Sequence, residues 1–92
     1  MDILSLQAFI AVARYESFSK ASERLFVTQP AVSKRVAGLE EELGMRLFNR
    51  INRQISLTEA GKRLLPKAQE LVNQAADTVS YTHLTLPTIY SV

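Results

Sequence analysis

Val32, Val36, Leu39 and Leu43 recur at spacings of four, three and four, with Thr28 before them and Gly44 after them. No other stretch of the chain restricts the possible folds so tightly. Residues three and four apart share one face of an α-helix. A threonine hydroxyl can accept from a first-turn amide, and Pro30 is tolerated in a first turn, where its missing N–H is no loss. Gly44 suits the left-handed backbone that follows a helix end. A helix over residues 29–43 is therefore predicted. At about 100° per residue its four apolar side chains cluster within about 60°, and Lys34 lies about 190° from their centre, with Pro30 and Ala37 beside it. One face belongs to a core, and the opposite face is small and basic.

The flanking segments build on this helix. Leu6, Phe9, Ile10 and Ala13 form the stripe of an amphipathic helix from about Ser5 to Tyr15. Ser17 and Ser19 offer capping hydroxyls to a short second helix, with Ala21 and Leu25 on its buried face and an end near Phe26. Beyond Gly44, Ile55 and Leu57 alternate with Gln54 and Ser56, which predicts a short hairpin after Leu47 and Phe48, its tip near Asn52. Thr58 caps a long final helix from Glu59 to about Val79. On it Leu65, Ala68, Val72, Ala75 and Val79 occupy a and d positions. Pro66 is expected to kink that helix or to confine its regular part to the residues beyond. The outline is mainly α: a winged helix-turn-helix of three helices plus a β-hairpin wing over 1–58, a linker or dimerisation helix over 59–79, and an atypical, non-native tail over 80–92.

Composition removes several classes of function. At 92 residues the chain supports one small core. It has no cysteine, so disulfides and thiolate metal ligands are excluded. His83 is the sole histidine, stands in the tail and has no second ligand or nucleophile spaced with it; no metal site, triad or cofactor site is expected, and the chain is not read as an enzyme. The glycines at 38, 44 and 61 make no phosphate-cradling loop. No apolar run approaches the roughly 18 residues of a membrane span, and the start lacks the basic segment of a secretory signal, so a cytoplasmic location is expected. The net charge of +2 is small, but residues 14–53 hold eight lysines and arginines against five glutamates.

The candidate contact residues follow from that basic region. Gln29, Ser33 and Lys34 can reach base edges or phosphates, an amide suiting adenine and an ammonium suiting guanine or phosphate, while Ala37 and Gly38 let a helix approach a groove floor. Arg35 completes a basic pair with Lys34. Glu40, Glu41 and Glu42 stand at the far end, so docking by the first two turns only is expected, the acids swinging clear as a solvated helix end. Arg50 and Arg53 flank the hairpin tip, where a wing meets the phosphate backbone or a minor groove. Ser17 and Ser19 add a possible phosphate contact at the start of the second helix. Competing readings exist for each group. Lys34 and Arg35 can be solvated surface linked to Glu40 or Glu41. The two arginines can protect a hairpin edge from aggregation. The heptad can pack within its own chain, although few apolar residues remain to cover it, which favours a partner helix. The rival function is a protein-interaction module of the same shape, with the arginines as ordinary surface.

The run SFSKASERLFVTQPAVSKRVAGLEEELGMRLFNR followed by ISLTEAG resembles the amino-terminal domain of LysR-type transcriptional regulators, over about positions 2 to 79. The resemblance implies sequence-specific binding of double-stranded DNA, with the helix from Gln29 as the recognition helix in the major groove. By the same resemblance, contacts carry over to Thr28, Gln29, Pro30, Ser33 and Lys34, and in the wing to Arg50 and Arg53. It also implies a homodimer paired through the helix after Thr58 on an inverted-repeat operator, and a parent regulator with a separate domain for a small-molecule effector. The chain departs from the family pattern at Asn52 and Gln54, where glycine is common, and at Ile51, where a polar residue often stands.

Overall fold

A computed structural model describes the backbone of residues 2–84 and the side chains of residues 2–74. The first helix, α1 (Ile3–Tyr15), starts earlier than its apolar stripe suggests, because Asp2 is its cap: the carboxylate accepts from the Ser5 amide at 2.8 Å. That hydrogen bond holds the Asp2 carboxyl below its ordinary value. Leu6, Ala8, Phe9, Ala11 and Val12 are all buried, a wider face than the predicted stripe. The reason is tertiary, since α1 is packed by the second, third and fourth helices together.

Helix α2 (Phe18–Leu25) is capped by Ser17, whose hydroxyl oxygen accepts from the Lys20 amide at 3.1 Å. It ends at Phe26 in the left-handed region. Helix α3 (Gln29–Leu43) has the predicted bounds: Thr28 accepts from the Ala31 amide, Pro30 lies in the first turn, and Gly44 closes the helix at φ 68°. Val32, Val36 and Leu39 are buried and Leu43 half-buried.

Strands β1 (Phe48–Ile51) and β2 (Gln54–Leu57) pair antiparallel, Phe48 opposite Leu57 and Ile51 opposite Gln54. The two connecting residues, Asn52 and Arg53, have φ of 54° and 64°. Two left-handed residues in a two-residue loop match the right-handed twist of the strands they join. Phe48 fastens the hairpin to the helices, its ring 5.5 Å from Phe9 and 6.1 Å from Phe18 between centroids.

The last helix, α4 (Glu59–Leu84), is anchored at its start. The Thr58 amide donates to the Leu47 carbonyl at 3.0 Å, its hydroxyl donates to the Arg46 carbonyl at 2.6 Å, and the same oxygen accepts from the Gly61 amide at 3.1 Å. Gly61 lies so close to the chain before β1 that an added Cβ would strike the Leu47 carbonyl oxygen and sit 2.8 Å from the Leu57 side chain. These anchors explain why the helix is regular from Glu59 and continues through Pro66 instead of starting after it. It also runs on to Leu84, past the expected end near Val79, because neither glycine nor proline intervenes before Pro87. The segment expected as a separate tail thus begins as helix, and residues 85–92 lie outside the described residues.

The heptad on α4 meets the chain's own core in part. Ala68 is fully buried against its own chain, and Leu65 and Val72 pack onto the same core. Ala68 is thereby taken up by the chain's own fold, while Leu65 and Val72 are half-buried and keep part of their surface exposed. The side chains of Ala75 and Val79 lie outside the described residues.

Candidate nucleic-acid interface

Burial of Val32, Val36 and Leu39 on one side of α3 fixes what the other side presents. Thr28, Gln29, Pro30, Lys34, Ala37 and Gly38 are exposed, and Ser33 is half-exposed. The outward face is the small, polar and basic one predicted from helical projection, concentrated in the amino-terminal turns. Arg35 is different: it is half-buried, one position round the helix from Lys34 and on the flank of this face.

The first turn of α2 joins this face to the wing. The Ser19 hydroxyl donates to Gln29 Oε1 at 3.0 Å, tethering the first residue of α3. That leaves the amide nitrogen of Gln29 as the end that can donate outward. One residue earlier, the Phe18 ring lies beneath Arg50, whose guanidinium carbon is 4.6 Å from the ring centroid. A cation over an aromatic face is held without losing its charge or its outer N–H groups. Ser17 is half-buried and its oxygen is engaged as the α2 cap, so its role toward a phosphate reduces to its remaining O–H. Arg53 stands in the hairpin turn itself and is exposed.

The acidic end of α3 also differs from the sequence reading. Glu40 is not part of a solvated end. Its side chain is only 12% exposed, it accepts from the amides of Leu47 at 2.8 Å and Phe48 at 3.4 Å, and the Arg46 guanidinium lies 3.8 Å away. Glu40 therefore fixes where the chain turns from α3 into β1, a role with no local sequence signal. Glu41 and Glu42 are exposed at the end remote from Gln29. Among the described residues no cluster of histidine, aspartate and glutamate could hold a metal ion, and no helix is long and apolar enough to cross a membrane.

This arrangement, a tethered helix start beside a cationic hairpin, coincides with a family model described as the bacterial regulatory helix-turn-helix protein, lysR family, matched over residues 3–62. The chain belongs to the LysR family. Among curated LysR-like relatives, a protein of Azotobacter vinelandii described as an HTH-type transcriptional regulator in the ibpB-leuC intergenic region is 58% identical over 78 residues. That alignment takes in 85% of this chain and 54% of the relative. The chain thus spans about half the length of that relative. The BenM DNA-binding domain in complex with benA site 1 DNA is a structural neighbour with a TM-score of 0.82 and 35% identity, over 89% of this chain and 92% of that one. The CbnR DNA-binding domain in complex with DNA has a TM-score of 0.82 and 34% identity, over 89% and 94%. The mainly α winged helix-turn-helix architecture is therefore that of LysR-family DNA-binding domains.

Proposed function

We propose that this LysR-family domain binds double-stranded DNA sequence-specifically, with the amino-terminal turns of α3 in the major groove and the hairpin wing on the phosphate backbone or an adjoining minor groove. The observation that carries the reading is the exposed face of α3: an amide, a hydroxyl and an ammonium at Gln29, Ser33 and Lys34, above small residues that permit close approach. Such a face can read base edges, and Arg50 and Arg53 are suited to phosphate. The BenM and CbnR complexes support the same assignment by likeness. Thr28 and Pro30 shape the leading turn, Ser17 and Ser19 stand at its side, and Arg35 lies at its margin. The full-length regulator would act in the cytoplasm on transcription, without catalysis, and would carry effector control in residues beyond this domain.

The domain is proposed to pair as a homodimer through α4, presenting two copies of α3 to an inverted repeat. The seam is placed on the flank of α4 beside the chain's own core, where apolar surface remains exposed. Leu71 is 43% exposed there, one heptad after the half-buried Leu64, with the exposed Met45 beside Leu64 and Lys67 in a shallow groove.

Selection of bound duplexes from random sequence, followed by a salt titration, tests the proposal. Binding should weaken with a logarithmic slope of about −0.9 per phosphate contact. A chain that enriches no sequence and has no measurable affinity at low salt would instead support the protein-interaction reading.

A further inference from the structure

Phe26 is the most exposed of the large apolar side chains among the described residues, at 93%, and its backbone is left-handed at φ 59°. Each feature is unfavourable by itself. The left-handed backbone presses Cβ toward the following carbonyl, and the exposed ring forgoes apolar burial. The fold does not require either penalty from a phenylalanine. The turn needs only a residue that closes α2, through its amide to the Glu23 carbonyl at 3.3 Å, and glycine or asparagine does this with less strain. The core does not use the ring, which lies outside the hydrophobic cluster.

What distinguishes Phe26 is its place. It stands two residues before Thr28 and three before Gln29, at the rim of the face described above, with the 40% exposed Val27 next to it. The two side chains offer too little apolar area to hold a protein partner. They suffice for the wall of a groove.

We infer that Phe26 is a further DNA-contact residue, its ring lying against the carbon-bound hydrogens of the duplex, deoxyribose or thymine methyl, beside the first turn of α3. The inference rests on the DNA-binding reading of this domain. An apolar contact of this kind adds affinity without neutralising a phosphate, so its loss leaves the salt slope unchanged.

The test compares the 92-residue chain with Phe26→Asn, Phe26→Gly and Phe26→Tyr on a duplex recovered by selection, at fixed salt and across a salt series. Asn and Gly should melt at the same or a higher temperature, yet bind on the order of tenfold more weakly with the same salt slope, as partial burial of one ring implies. Tyr keeps the ring and should bind like the parent. Repeating the titration with deoxyuridine in place of thymine separates the two contacts. A parent that falls to the level of Phe26→Asn identifies the methyl, and an undiminished difference identifies the sugar. The inference is overturned if Asn and Gly bind as tightly as the parent, or if both melt lower as they bind more weakly, which assigns the ring to the fold. A parent that binds no duplex removes the DNA-binding reading itself, a result distinct from either.

Discussion

Lys34 and Arg53 carry the same charge on different backbones, and that difference sets what each should do. Lys34 projects from a regular helix directly opposite a buried stripe, so its ammonium arrives at a fixed depth and register. Arg53 sits in a two-residue turn at φ 64°, on a long side chain exposed to solvent, and suits a phosphate more than a base edge. Lys34→Ala should cost roughly 1–3 kcal/mol on a selected duplex and flatten the preference for its base, whereas Arg53→Ala should weaken all duplexes alike and lower the salt slope by about one. Competitive binding on selected and scrambled duplexes checks this, and identical losses for both variants on both duplexes would contradict the division of roles. At this scale the outward placement of Lys34, Gln29 and Ser33 is legible in the sequence, because helical projection is a local rule. The sequence does not convey Arg50 resting on Phe18, or Glu40 accepting from Leu47 and Phe48, since each joins residues of different elements.

The elements whose ends carry local signals were legible before any coordinates. Thr28 and Gly44 bound α3, Thr58 caps α4, and the alternation of Ile55 and Leu57 marks β2, all as the residues indicate. The stripe on α4 was legible as apolar but not as to what covers it: periodicity locates a face, and only packing tells whether α1 or another chain lies upon it. Gly61 belongs with this second kind of information. A glycine early in a helix reads as a weakness, and alanine should improve the helix by about 1 kcal/mol. Here the added methyl meets the Leu47 carbonyl and the Leu57 side chain, so Gly61→Ala should instead destabilise the domain by about 1–3 kcal/mol. Denaturant unfolding measures this, and equal or greater stability in the variant would show that the close approach relaxes without strain.

The molecule as a whole measures 52 × 25 × 18 Å, an elongated outline to which α4 contributes 26 residues, or about 39 Å of helix. Two neighbouring positions on α4 should respond differently to an added charge. Ala68 lies inside the fold, so Ala68→Glu should unfold the domain, while Leu71→Glu should leave its melting temperature close to that of the parent and lower the dimer fraction in sedimentation. Equal association of Leu71→Glu and parent would move the pairing surface elsewhere. The hold of Thr58 on the Arg46 and Leu47 carbonyls, with Gly61 seated beneath, has a mechanical consequence. The base of the long helix cannot swivel independently of the hairpin, so α4 behaves as a lever clamped at its fulcrum. A torque applied at its distal end would be delivered to the wing and to the seating of α3.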